Sequence, residues 1–227
     1  TTAPDAQAAD LVARTAAMVE ARFTGEGSGH DWAHIRRVWL AARALAQAEG
    51  ADLLVTELAA LLHDIADWKF HDGDEEAGPR AARAWLLGEG AQEALVSRVE
   101  EIIREVSFKG AGVATPVGSL EGACVQDADR LDAIGAIGVA RAFAYGGHKG
   151  RALHDPAQPP VQHGTFAEYK SNGGPTINHF YEKLLHLRER LHTAAARRVA
   201  AERHQFMEEF LAQFLKEWEG SDLLPGR

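Results

Sequence analysis

Within Leu61-Leu62-His63-Asp64-Ile65-Ala66-Asp67 a strongly apolar run meets a His-Asp doublet and, three residues after Asp64, a second acid. Leu58, Ala59, Leu61 and Leu62 put apolar residues on nearly every side of a helix, the pattern of a buried one. Ionisable groups carried into such surroundings are costly unless they are paired or bound to a metal. The reading that resolves this conflict makes His63 and Asp64 metal ligands, with Asp67 working beside them. Two donors do not close a site. His34, one turn before Val38 on an inward stripe, and an aspartate from the later Asp127-Ala128-Asp129 stretch supply two more from separate helices. Two imidazoles and two carboxylates without a thiolate suit Mn²⁺, Fe²⁺, Co²⁺, Ni²⁺ or Zn²⁺ better than a closed thiolate-rich zinc site. Spacing alone leans toward Asp127, which shares a stripe with Leu120, Cys124, Leu131 and Ile134.

The elements that must carry these residues read as helices, and strand signals are nearly absent. Asp5 to about Phe23 is an Ala-rich helix between Pro4 and Gly25, with a turn over residues 25–29. Asp31 can cap a helix with apolar positions Ile35, Val38, Ala42 and Leu45, closed by Gly50. Asp52 can cap the helix that bears the doublet, which frays into the polar run His71 to Glu76. Pro79 opens a short helix through Leu87, and Leu95, Val99, Ile102, Ile103 and Val106 mark another before a flexible connector over residues 109–116. Ser119 can cap a long helix from Leu120 to about Tyr145, with Gly135 and Gly138 inside it. Residues 146–175 lack periodicity and read as a lid or a partly disordered loop. Beyond them, Ile177, Phe180, Leu184, Leu187 and Leu191 form one stripe. Val199, Phe206, Phe210, Phe214 and Trp218 form another that ends at Gly220. The stripes with Trp39, Trp85, Phe206 and Trp218 read as packing. The expected fold is an all-α, single-domain helical bundle over residues 1–227, with the motifs in about 29–145 and C-terminal helices over about 176–220.

Composition narrows the partners. The chain of 227 residues carries 33 acids against 24 bases, a formal charge of −9. That disfavours a nucleic-acid polymer, whose phosphates need a basic field. A small anionic ligand remains open if a metal or a few local cations supply positive charge. Cys124 is the single cysteine, so no intrachain disulfide forms and a reducing compartment fits. With no basic-then-apolar leader pattern and no bilayer-length apolar run, the expected location is the cytoplasm, without membrane association.

The order His34, then His63-Asp64, then Asp129 resembles the HD-domain phosphohydrolase superfamily. The flanking words Gly29 to Val38, Leu62 to Gly73, Gln126 to Gly135 and Thr176 to Leu184 resemble its small bacterial YedJ-type members. The resemblance runs from about Gly29 to Gly220 and implies a metal set of His34, His63, Asp64 and Asp129, with Mn²⁺ favoured and Mg²⁺ also compatible. It selects Asp129 because the family's ligand directly precedes a pair such as Arg130-Leu131. It further implies that Asp67 positions or deprotonates an attacking water. Because a triphosphate carries more charge than one divalent ion offsets, Lys69 and Arg130 become candidates to hold phosphate, with Lys183 and Arg141 weaker ones.

Taken singly, each residue has a plainer role: His34 as a core histidine, Asp67 as a helix end, Lys69 and Arg130 as ion-pair residues. His71 and Asp72 are either a pair behind the ligands or a polar turn, and His30 reads as a loop residue. The function the resemblance implies is hydrolysis of nucleoside or deoxynucleoside triphosphates to monophosphate and pyrophosphate, with a small-molecule nucleotide as partner. Alternatives are a nucleotidase or a cyclic or dinucleotide phosphodiesterase on the same site, a di-iron oxygenase, and a non-catalytic nucleotide-binding module. Only His71 lies between Asp64 and Asp129 as an extra histidine, which argues for one metal rather than two.

Overall fold

The computed structural model describes residues 3–25, 31–66, 74, 76–106, 117–161 and 173–223, and all regular structure among them is helical. The fold class is therefore all-α. No helix among the described residues is long and apolar enough to cross a membrane. The chain forms two compact units, one of Thr1–Asp129 with His192–Ala196, the other of Arg130–Leu191 with Arg197–Arg227.

The first unit holds α1 (Ala3–Phe23), α2 (Trp32–Glu49), α3 (Leu53–Leu62), α4 (Ala77–Gly88), α5 (Glu93–Val106) and most of α6 (Leu120–Asp132). Helix α3 packs on α1, α2 and α5, which buries most of it from Val55 onward. Leu58, Ala59, Ala60, Leu61 and Leu62 are each 0% exposed, which is why this helix is apolar all round. Burying each of its leucines is worth about 1.5–3 kcal/mol. The three N-caps expected from sequence are present. Asp31 accepts from the His34 N–H at 2.8 Å, Asp52 from the Val55 N–H at 3.3 Å, and the Ser119 hydroxyl from the Gly122 N–H at 3.0 Å. Gly50 closes α2 in the left-handed region, at φ 77°.

The second unit holds α7 (Gly135–His148), α8 (Thr176–Glu182), a 3-10 helix (Leu184–Arg190) and most of α9 (Ala194–Glu219). The expected single helix from Leu120 to Tyr145 is broken at Ala133 and Ile134. Ile134 is extended and Gly135 takes φ 74°, a conformation open to glycine. A side chain at Gly138 would overlap the Ala133 carbonyl, so the chain turns closely here. The Arg141 guanidinium spans the break, donating to Asp132 Oδ2 at 2.6 Å. Helix α7 runs on to His148, so residues 146–148 are helical rather than loop; residues 149–161 are irregular with short turns at 149–150 and 156–157, and 162–172 lie outside the described residues.

The stripe from Ile177 to Leu191 is buried as expected, yet it is not one helix. The backbone leaves the helical region at Lys183, where φ is −142°, and resumes as a 3-10 helix. Three residues per turn aligns Leu184 with Leu187. On α9 the inward line is Ala200, Met207 and Leu211. Phe206 is 45% exposed, which corrects the expectation that it is a packing residue. Trp218, 46% exposed, packs against Phe214 and His154 with ring centroids 5.9 and 5.2 Å away. Phe210 and Phe214 do pack, with ring centroids 5.8 and 6.0 Å from that of Phe143.

His179 on α8 is pushed down to about 3 from its ordinary 6.5, first by burial and then by the Lys183 and Arg151 cations. It is neutral when folded, whereas the unfolded chain takes up a proton below pH 6.5. No penalty exists above that pH, and one accumulates as pH falls from there toward 3. The loss of unfolding free energy between pH 7 and about pH 4.5, followed by urea denaturation, is accordingly smaller in His179→Gln than in the parent.

Candidate metal centre

Helix α2 begins at Trp32, and its first turn is fixed by the Asp31 cap on the His34 N–H. That bond sets His34 in the protein interior, with 1% of the residue exposed. Helix α3 ends at Leu62, so His63 and Asp64 sit in a turn rather than within the helix. The turn is held by the Ile65 N–H donating to the Leu62 carbonyl at 3.1 Å. From α6 comes Asp129.

The hydrogen bonding of His63 decides what its ring can do. Nδ1 lies 2.7 Å from the Ala60 carbonyl oxygen. A carbonyl only accepts, so Nδ1 carries a proton, and in the neutral imidazole Nε2 presents a lone pair. Nε2 is buried and has no hydrogen-bond partner among the described residues. Left so, a buried acceptor costs about 1–3 kcal/mol. Its neighbours are other donors: the His34 ring stands edge-on with centroids 5.5 Å apart, and Asp64 Oδ2 is 3.4 Å away. His34 Nε2 is 3.6 Å from Asp64 Oδ2 and 3.6 Å from Asp129 Oδ1.

These separations exceed good hydrogen bonds. They are close to the ~3.0–3.5 Å between two donors that each sit about 2.1 Å from one ion. Atoms of His34, His63 and Asp129 all lie within 4.8 Å of one another, and Asp64 adjoins the set through both imidazoles. The orphaned Nε2 and the mixed nitrogen and oxygen donors fit a divalent cation. Exposure is graded across the cluster. The two imidazoles are 2% and 3% exposed, whereas the Asp64 and Asp129 side chains are 16% and 35% exposed, so solvent reaches the carboxylate side.

Other residues singled out in the sequence fall as follows. Asp127 is fully buried and accepts from the His192 and Thr193 backbone N–H groups, which occupies it away from the cluster. The Arg130 guanidinium donates to the Arg190 carbonyl, and Arg141 is engaged with Asp132. Asp67, Lys69, His30, His71 and Asp72 lie outside the described residues. Trp39 and Trp85 use their indole N–H groups on Glu57 and Thr15, each at 3.0 Å. His192 and Thr193 were not anticipated from sequence, although a threonine directly ahead of Ala194-Ala195-Ala196 is a helix-cap signal.

An all-α architecture in which one buried histidine meets a His-Asp turn and a later aspartate defines a metal-binding hydrolase class, and the chain belongs to the HD-domain phosphohydrolase superfamily. Residues 31–134 match the HD domain family. Over 206 residues the chain is 40% identical to YpgQ of Bacillus subtilis, covering 90% of this chain and 92% of that protein. The crystal structure of YpgQ in complex with ADP superposes with a TM-score of 0.74 at 34% identity in the structural alignment, covering 97% of this chain and 98% of that one. A structure from Lactobacillus plantarum gives a TM-score of 0.80 at 38% identity, with 92% and 97% covered. An HD-superfamily hydrolase from Bacillus thuringiensis gives 0.75 at 42% identity, with 93% and 98% covered.

Because one hydrogen bond seats the first turn of α2, Asp31→Ala costs about 1 kcal/mol of unfolding free energy. Urea denaturation measures it, and a loss below the error of the fit would show that the turn is held by packing alone.

Proposed function

We propose that this protein is a metal-dependent nucleotide phosphohydrolase that cleaves nucleoside or deoxynucleoside triphosphates to monophosphate and pyrophosphate. The observation that carries the reading is the buried Nε2 of His63, without a hydrogen bond among the described residues, beside the donors of His34, Asp64 and Asp129. Those four residues would hold one divalent ion, Mn²⁺ by preference given a donor set without thiolate. Such an ion lowers the pKa of water and polarises a phosphoryl oxygen. The complex of YpgQ with ADP supports a nucleotide as the ligand.

In this reading His34 and His63 form the buried wall and the two carboxylates face the side from which substrate enters. The fixed tautomer of His63 keeps its lone pair directed at the cluster through the whole reaction. Asp67 accepts the proton of the water that attacks the α-phosphorus, and pyrophosphate leaves. Lys69 and Arg130 offset charge on the phosphates, which carry more negative charge than one divalent ion balances. We place the protein in the cytoplasm. Cys124 is buried and its thiol is pushed up to about 12, first by burial and then by nearby Asp127, Glu49 and Glu121, so it is inert toward oxidation.

Purified protein with Mn²⁺ is expected to release pyrophosphate and a monophosphate from members of a nucleoside and deoxynucleoside triphosphate panel, resolved by chromatography. Asp64→Ala and His63→Ala each lower kcat/KM at least about a hundredfold, and dialysed His63→Ala retains little metal by elemental analysis. Orthophosphate from monophosphates would make the protein a nucleotidase, and opening of a cyclic or dinucleotide substrate would make it a phosphodiesterase. An untouched panel with no effect of Asp64→Ala would end the proposal.

A further inference from the structure

We infer that Asp127 is a positioning residue, part of a brace that sets Asp129 against His34; the inference rests on the metal reading above. Asp127 is 0% exposed, and a buried carboxylate is tolerated only when its oxygens are satisfied. Oδ1 accepts from the His192 N–H at 2.9 Å. Oδ2 accepts from the same group at 3.2 Å, from the Thr193 N–H at 2.8 Å and from the Thr193 hydroxyl at 2.8 Å. Next to it, Gln126 Oε1 lies 2.6 Å from His192 Nε2, so His192 is gripped by both backbone and ring.

The segment His192–Ala196 is held from the other side as well. The Ala195 N–H donates to Glu49 Oε1 at 2.6 Å, and the Ala196 N–H to the Thr193 hydroxyl at 3.2 Å. Glu49 is the last residue of α2, whose first turn carries His34. One short segment therefore ties the helix of His34 to the helix of Asp129. Two residues along a helix is a rotation of about 200°, so Asp127 and Asp129 point to opposite sides of α6. Locking Asp127 on one side fixes the rotation of α6 and hence where Asp129 stands on the other. A neutral amide at position 127 turns one acceptor into a donor that opposes the Thr193 donors, which releases that lock.

The test is Mn²⁺ titration by calorimetry, with Co²⁺ absorption as a second probe of ligand geometry, on the full chain and its variants. Asp127→Asn is expected to raise the metal Kd about tenfold and to alter the Co²⁺ spectrum while far-ultraviolet circular dichroism is unchanged. Thr193→Val, which removes one hydroxyl and leaves both backbone donors, raises Kd less, and Thr193→Ser restores it. Activity of Asp127→Asn recovers when metal is saturating. Parental Kd and Co²⁺ spectra in Asp127→Asn and Thr193→Val, with only Tm lowered, would overturn the brace. His63→Ala separates the two ideas: if it binds metal as the parent does, the metal reading itself fails; if it abolishes binding while Asp127→Asn and Thr193→Val are parental, only the brace fails.

Discussion

The Nδ1 proton of His63 is committed to the Ala60 carbonyl, and the rest of the site follows from that bond. It leaves an acceptor lone pair inside the protein at the end of a helix whose last turns are wholly buried. Stability alone does not favour such an arrangement, because an unsatisfied buried acceptor opposes folding. Once Nε2 needs a partner, His34 at 5.5 Å between ring centroids, Asp64 and Asp129 are the groups arranged around it.

The surrounding helices meet that demand through ordinary devices. Packing of α1, α2 and α5 around α3 excludes water from the imidazoles, and the chain then turns at His63 so that Asp64 approaches both of them. A side-chain cap seats the first turn of α2, and the His192–Ala196 segment grips α6 through Asp127 and α2 through Glu49. Local hydrogen bonds thus set the donor positions, while the apolar core supplies the dryness that strengthens electrostatics within the cluster.

Much of this was legible in the residues. Asp31, Asp52 and Ser119 cap the helices that their types and positions suggested, because capping is a local matter of a short acceptor and a free N–H. The all-round apolarity of Leu58 to Leu62 announced a buried helix, and the doublet at its end, read as ligands, is brought beside His34 and within reach of Asp129. Periodicity was less faithful where a backbone can bend without changing which residues are buried. Leu184 and Leu187 stay inside after Lys183 leaves the helix, and Gly135 turns the chain where the hydrophobic pattern runs on.

By itself, then, the sequence determined the helical class, the capped starts of α2, α3 and α6, and the donor types: imidazole and carboxylate without thiolate. Tertiary structure decided which groups meet. Asp127 shares the apolar stripe of α6 and spacing leaned toward it, yet it turns to His192 and Thr193, residues 65 and 66 positions later, and Asp129 stands 3.6 Å from His34. On α9 the buried line is Ala200, Met207 and Leu211 rather than the line with Phe206 and Trp218. The reason is the same in both places. A helix presents every face equally in its sequence, and only the elements packed against it select which face is buried and which meets a partner.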